Sequence, residues 1–218
     1  MEPRSGPIPL STRAACSAGL GAFWALGYFS LGARAQTVRT LDPSIPLDAL
    51  IPFVGWAVWP YLLGIACIGL PAVLVRSPAL FRDTAIAYAI VIGLSFLCFF
   101  LAPTEADSFR TQIALGDLDD YTASAVGMLH AIDPSTNLVP SLHVSLATVA
   151  ACASAREYPA MQAKVVGLLV IVIASIFMLK QHTIVDALAG LTVAAIALTL
   201  SSRFKVFRRG AAAPQEVR

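Results

Sequence analysis

Charge is scarce in this chain of 218 residues. Asp, Glu, Lys and Arg together make up 13% of it, about half the share typical of soluble domains, and the mean hydropathy is +0.75. A water-soluble globule is excluded on that ground. Disorder is excluded too, because 57% of the residues are hydrophobic and such a chain has ample apolar surface to bury. A net charge of +2, with no basic run outside the C-terminus, leaves nothing fit to hold nucleic acid. Cysteine is also sparse. Cys16, Cys67, Cys98 and Cys152 each lie in an apolar stretch and share neither a CxxC nor a metal-ligand spacing. They read as reduced thiols that pack as small hydrophobes, so neither a disulfide nor a metal site is expected from them. Internal repeats and low-complexity segments are lacking as well. What remains is an all-α, polytopic membrane protein, with 1–218 as a single membrane domain.

A spanning helix needs about 20 mostly apolar residues. The chain offers six: 14–33, 52–75, 84–102, 139–155, 163–179 and 183–200. The first is too long for a signal peptide, and no small-x-small cleavage site follows it. Pro60 and Pro71 lie inside the second, which a helix in a bundle tolerates. Lys and Arg then set the orientation. With the N-terminus inside, the inner segments carry Arg4, Arg13, Arg76, Arg82, Arg156, Lys164, Arg203, Lys205, Arg208, Arg209 and Arg218. The outer ones carry Arg34, Arg39, Arg110 and Lys180. Both termini are therefore expected in the cytoplasm of a cell (inner) membrane, with 201–218 as a basic cytoplasmic tail at the lipid surface. The oligomeric state is not legible.

The long loop 103–140 falls on the outside, which is the periplasmic face in an inner membrane. It interleaves apolar and polar residues and is expected to form short interfacial helices. Its cluster Asp117-Leu-Asp-Asp120 lacks the spacing of a calcium loop and reads as a solvated face; His130 reads as a loop residue. Three polar sites collect where spans meet this face: 102–110, 137–147 and 180–190. Ionisable groups at membrane depth point to function.

His182 and Asp186 are four residues apart, one turn along one helix face. An Asp so placed accepts the proton of one ring nitrogen and leaves the other as a directed lone pair, a nucleophile or base. His143 follows Pro140 and Ser141 at a helix start, where Ser141 caps the first turn and amide groups favour an anion. With Arg110 and Lys180 on the same side, the set describes a phosphate pocket with a nucleophile and a general acid.

Pro140-Ser-Leu-His143 and His182-x-x-x-Asp186 resemble the second and third motifs of the type 2 phosphatidic acid phosphatase superfamily. The longer strings Pro-Ser-Leu-His-Val and Lys-Gln-His-x-x-x-Asp-Ala-x-Ala-Gly resemble its inositol phosphorylceramide synthase-like branch (inositolphosphotransferases), akin to sphingomyelin synthases. The resemblance implies that His182 attacks phosphorus, that Asp186 orients it, and that His143 protonates the leaving group and then activates the acceptor. It also implies that Arg110, Lys180 and Ser141 hold the phosphoryl oxygens, with no metal and no cofactor. The first motif departs from the pattern: Pro103 stands seven before Arg110, and Thr111 follows it. In the third, Ile176 follows Ser175 where the superfamily has Arg.

Three functions fit this reading. One is a lipid phosphatase that acts on a lipid phosphate or diphosphate with water as acceptor. The second is a lipid phosphotransferase with an alcohol or ceramide-like acceptor. The third is a non-enzymatic transporter or scaffold. The phosphatase ranks first, because no acceptor site is visible in so small a chain.

The topology is testable. An impermeant thiol reagent added from outside is expected to label a cysteine placed at Ser124 and to leave one placed at Ser77 unlabelled. The reverse pattern would put the polar sites in the cytoplasm.

Overall fold

The computed structural model describes residues 8–106, 113, 115–133 and 135–211, the last stretch with side chains as far as Arg203. Among them no strand forms. The chain runs through α1 (Leu10–Ala35), α2 (Pro46–Leu50), a 3₁₀ turn at Gly55–Ala57, α3 (Val58–Ile68), α4 (Pro71–Leu74), α5 (Pro78–Leu101) and α6 (Asp120–Ile132). It continues through α7 (Leu142–Glu157), a 3₁₀ turn at Pro159–Met161, α8 (Gln162–Met178) and α9 (Ile184–Ala211).

Among the described residues, five helical stretches are long and apolar enough to cross a bilayer: Leu10–Ala35, Gly55–Leu74, Pro78–Leu101, Pro159–Met178 and Ile184–Arg203. Their boundaries follow local chemistry. Ser77 accepts the Leu80 amide at 3.4 Å and precedes Pro78 at the first helical position, so α5 starts before residue 84. It takes in Arg82 and the buried Asp83. Pro103 ends it. Pro71 breaks the second span into α3 and α4, and the Tyr88 hydroxyl donates to the Ile68 carbonyl at the break, at 2.6 Å. Helix α9 does not stop at residue 200 but continues into the basic segment as far as Ala211.

The expected fourth span, 139–155, is α7. Its 16 residues make about 24 Å of helix, short of the usual span length. Ser141 starts the helix late by accepting the Val144 amide at 3.3 Å, and Pro159 stops it. Helix α7 is instead the central element. It packs on α3, α5, α8 and α9, and Leu142, Val144, Leu146, Ala147, Val149 and Ala150 are all buried. It also runs from one end of the bundle to the other. At its start the Ser141 amide donates to the Asp186 carbonyl at 2.9 Å. At its far end the Glu157 carboxylate accepts the amides of Arg76, at 3.1 Å, and Ser77, at 3.4 Å. The Arg13 guanidinium binds the Pro71 and Val75 carbonyls at that same far end.

Between lipid-facing helices there is little hydrophobic drive, so small residues and interhelical hydrogen bonds hold the bundle. The Ser145 hydroxyl on α7 reaches the Gly190 carbonyl on α9 at 3.0 Å. That approach requires glycine, because a Cβ at position 190 meets the Ser141 carbonyl oxygen at 2.7 Å. The outer surface carries Leu26, Leu50, Val73, Leu101 and Leu188, each more than half exposed.

The end of the bundle nearest Ser141 is knitted by backbone. Leu41 and Thr104 bridge in parallel, and Glu105 and Thr136 bridge antiparallel. The Thr104 hydroxyl accepts the amides of Leu138 at 3.0 Å and Val139 at 3.1 Å. Asn137 sits in the left-handed region at φ 59°, which Asn tolerates, and its side-chain amide donates to the Tyr28 carbonyl at 2.8 Å. The segment after α5 and the segment before α7 thus hold each other. In loop 103–140, Asp119 caps α6 by accepting the Thr122 amide at 3.0 Å. Hydrogen bonds from Thr122 hold its carboxyl below the usual range.

Gly190→Ala is expected to destabilise by about 1–3 kcal/mol through overpacking. At an open helical position the same change stabilises by about 0.5–1 kcal/mol. Gly93 has nothing within 4 Å of an added Cβ and serves as the control. Thermal midpoints in detergent should fall for Gly190→Ala and hold or rise for Gly93→Ala; equal midpoints would refute the close approach.

Candidate active site

The turn between α8 and α9 carries the third polar motif. Lys180 takes φ 56°, which reverses the chain after Leu179. Its ammonium is buried and donates to the carbonyls of Asp48, at 2.9 Å, and Ile51. Burial pushes this amine below its usual value, and the nearby Asp48 carboxylate opposes the shift. The same Asp48 carboxylate accepts the Ile184 amide at the start of α9, at 2.8 Å, and the Ile45 amide, at 2.8 Å. Lys180 and Asp48 therefore strap α2 across the motif. The structure gives the Lys180 ammonium to two carbonyl oxygens, those of Asp48 and Ile51.

His182 and Thr183 precede the first turn of α9 and Asp186 lies in it. Asp186 is fully buried. One carboxylate oxygen accepts His182 Nδ1 at 2.8 Å, and the other accepts the Thr183 hydroxyl at 3.0 Å. A carboxylate only accepts, so Nδ1 of His182 carries the proton and Nε2 faces away with a lone pair when the ring is neutral.

That Nε2 lies 2.9 Å from Nδ1 of His143, on the first turn of α7. The neutral His182 ring accepts there, so His143 Nδ1 donates. Asp186, His182 and His143 thus form one hydrogen-bonded row, assembled from α9, the turn before it and α7. Ser141 stands beside the row as the cap of α7, with its amide on the Asp186 carbonyl. The side chain is fully buried, and its oxygen lies on the Val144 amide. Arg110, the third residue expected to hold the phosphoryl oxygens, lies outside the described residues.

The row continues through residues that pattern reasoning did not single out. His143 Nε2 lies 3.1 Å from the Tyr61 hydroxyl on α3. Tyr61 in turn donates to Asp133 Oδ2 at 3.3 Å, and the Tyr28 hydroxyl on α1 reaches Asp133 Oδ1. Tyr61 was hidden inside an apolar span, and Asp133 was one of several acidic loop residues. A phenol among aliphatic residues and an Asp just before the Pro-Ser-Leu-His string were the only signals. His130, read from the sequence as a loop residue, lies in the last turn of α6.

A cavity of about 460 Å³ opens beside it. Tyr61, Asp133 and His143 line one end, and Cys16, Pro71 and Phe81 line the other. Between these ends the walls are almost wholly apolar side chains of α1, α3, α5 and α7. From Tyr28 to Cys16 the cavity follows α1 for roughly 18 Å of helical rise.

In chemical terms, the row presents a nucleophilic nitrogen backed by a buried carboxylate. A second imidazole stands against that nitrogen, and an apolar slot leads away from both. No curated protein and no solved structure matches the chain. The sequence profile described as the PAP2 superfamily matches residues 51–200, a stretch that begins ahead of α3, ends in α9 and contains Tyr61, His143, His182 and Asp186. The chain therefore belongs to the type 2 phosphatidic acid phosphatase (PAP2) superfamily, a family of phosphoesterases and phosphotransferases.

Proposed function

We propose that this protein is an integral membrane phosphatase that cleaves the phosphoryl group from a lipid phosphate or diphosphate through a phosphohistidine on His182. The observation that carries the reading is the unbroken contact from Asp186 through His182 to His143, at 2.8 Å and 2.9 Å. Nε2 of His182 attacks phosphorus, and Asp186 holds the ring in the attacking tautomer and balances the imidazolium that forms. A phosphoryl group at Nε2 takes the place that His143 Nδ1 holds in the free protein, which leaves that N–H facing the leaving oxygen. His143 protonates it and then takes a proton from water, which releases phosphate. Arg110 and the N-terminus of α7 with Ser141 stabilise the phosphoryl oxygens, while Lys180 acts on the site through the strap to α2. In this reading the chemistry needs neither metal nor cofactor.

The apolar cavity supports a lipid as substrate. It starts at His143 and leads into the bundle, so a phosphate at the histidines places its hydrocarbon chain along the slot. With α7 as a sixth passage, supported by its end-to-end course, both termini lie on one side. The Lys and Arg distribution makes that side the cytoplasm and puts the site at the external face of the cell membrane. The helix α6 then lies at the interface. Transfer to an alcohol or ceramide-like acceptor uses the same intermediate. It is favoured by the Lys-Gln-His string of the inositol phosphorylceramide synthase-like branch.

The test uses purified protein in detergent with lipid phosphates and diphosphates, with and without inositol or ceramide. The protein is expected to form an acid-labile, base-stable phosphoryl adduct. His182→Ala should carry no adduct and show no turnover. Asp186→Asn should lower turnover by about 10²–10⁴. A label on the His182→Ala protein overturns the nucleophile, and activity untouched by that change supports a transporter or scaffold instead. Product on inositol or ceramide in place of free phosphate decides for the transferase.

Chain length gives a second check. Because the slot follows α1 for roughly 18 Å, kcat/KM should rise steeply from butyl to dodecyl phosphate. Replacing the small lining residue Ala72 with Phe should shorten the preferred chain. A flat dependence on chain length would count against the cavity as the tail site.

A further inference from the structure

We propose that Tyr61 and Asp133 form a proton relay behind His143 and hold the extra proton that allows His143 to act as the general acid. The inference rests on the phosphohistidine reading above, and the bookkeeping of protons leads to it. His143 faces His182 through Nδ1, so the proton given to the leaving oxygen comes from Nδ1. A neutral imidazole with its proton on Nδ1 cannot give it up without becoming an anion. The acid must therefore hold, or receive in the same step, a second proton at Nε2. That nitrogen lies 3.1 Å from the Tyr61 oxygen, and Tyr61 lies 3.3 Å from Asp133 Oδ2.

The geometry admits two arrangements of the mobile proton. Tyr61 has a single proton. When it donates to Asp133, its oxygen accepts Nε2–H from the His143 imidazolium. When the mobile proton rests on Asp133 instead, Asp133 donates to Tyr61 and Tyr61 donates to Nε2. The proton count is the same in both arrangements, and the phenol passes the proton between them. The Tyr28 hydroxyl on the other carboxylate oxygen fixes Asp133 in place.

The balance closes over a turnover. In the first half the P–O bond to the leaving group breaks and the bond from phosphorus to His182 Nε2 forms. The Nδ1 proton of His143 goes to the leaving oxygen. His143 is left neutral with its proton on Nε2, and Asp133 is left ionised. In the second half water adds to phosphorus, its proton goes to His143 Nδ1, the P–N bond breaks, and the starting state returns.

The groups around His143 fit this division of work. His182, and Asp186 behind it, face the ring from the start of α9. Tyr61 faces it from α3, and Asp133 stands behind Tyr61 at the end of α6. Tyr28 stands behind Asp133 on α1. The Lys180 ammonium binds the carbonyls of Asp48 and Ile51. The buried Asp186 carboxylate and the half-buried Asp133 carboxylate therefore flank the two imidazoles from opposite ends, one assigned to each ring. Tyr61 and Asp133 are positioning residues, because they act on the reacting atoms through His143.

The experiment measures leaving-group release in a single turnover for Tyr61→Phe and Asp133→Asn. The substrates are a long-chain alkyl phosphate and an aryl phosphate with a nitrophenol leaving group. General acid catalysis is worth about 10²–10⁴ for a poor leaving group and much less for a good one. Both variants should therefore lose at least about tenfold more rate on the alkyl than on the aryl substrate, with KM little changed, and Asp133→Glu should recover part of the alkyl rate. Equal losses on the two substrates, or none on the alkyl one, overturn the relay and leave the pair a purely structural contact. His182→Ala is run alongside. If it releases nitrophenol at the wild-type rate, the nucleophile is wrong, and the leaving-group contrast still judges the relay by itself.

Discussion

A carboxylate with no access to water, in a bundle that faces lipid, is the constraint on which the rest of the site depends. An ionised group in such a place is costly unless its oxygens are occupied by donors. Asp186 meets this with Thr183 on one oxygen and His182 on the other. One imidazole is thereby fixed in a single tautomer. The second imidazole then has only one way to meet the first, and the polarity of the whole row follows. Chemistry that requires a directed lone pair is thus built from an electrostatic requirement of the buried carboxylate.

Holding that row in register takes most of the polar groups at one end of the molecule. Asp48 binds the first amide of α9, and Lys180 binds the carbonyls of α2. Thr104 and Asn137 fix the approach to α7, and Ser141 joins α7 to the Asp186 backbone. Gly190 lets α7 and α9 close on each other just below. Apart from Ser141, these residues lie outside the proposed phosphate contacts, and together they hold the elements that carry His143 and His182. A slip of one ångström there is enough to lose a productive geometry.

The opposite requirement governs the space beside the row. The cavity meets polar groups at its histidine end and little but apolar walls beyond. A charged headgroup and a hydrocarbon tail have opposite demands on solvation, and under the proposed lipid reading this division of surface meets both.

The all-helical class and half of the candidate site's contacts were legible in the amino-acid sequence. Low charge and apolar runs of about 20 residues force helices in lipid, because every backbone group must be satisfied within the segment. The i, i+4 spacing of His182 and Asp186 places the two on one face whatever surrounds them, and Ser141 before an apolar run marks a helix start. Those signals are local, and local physics suffices to read them. The rest was decided by tertiary structure. Position 180 reads as a cation for phosphate, but only the docking of α2 determines that its ammonium meets two carbonyls. Tyr28, Tyr61 and Asp133 come from three distant elements, and nothing in their neighbours shows that one carboxylate will gather both phenols beside His143. The length of α7 depended on where Ser141 and Pro159 stop it, and its burial on the helices around it. Contacts between residues far apart in the chain are fixed by packing, and packing is a property of the whole bundle.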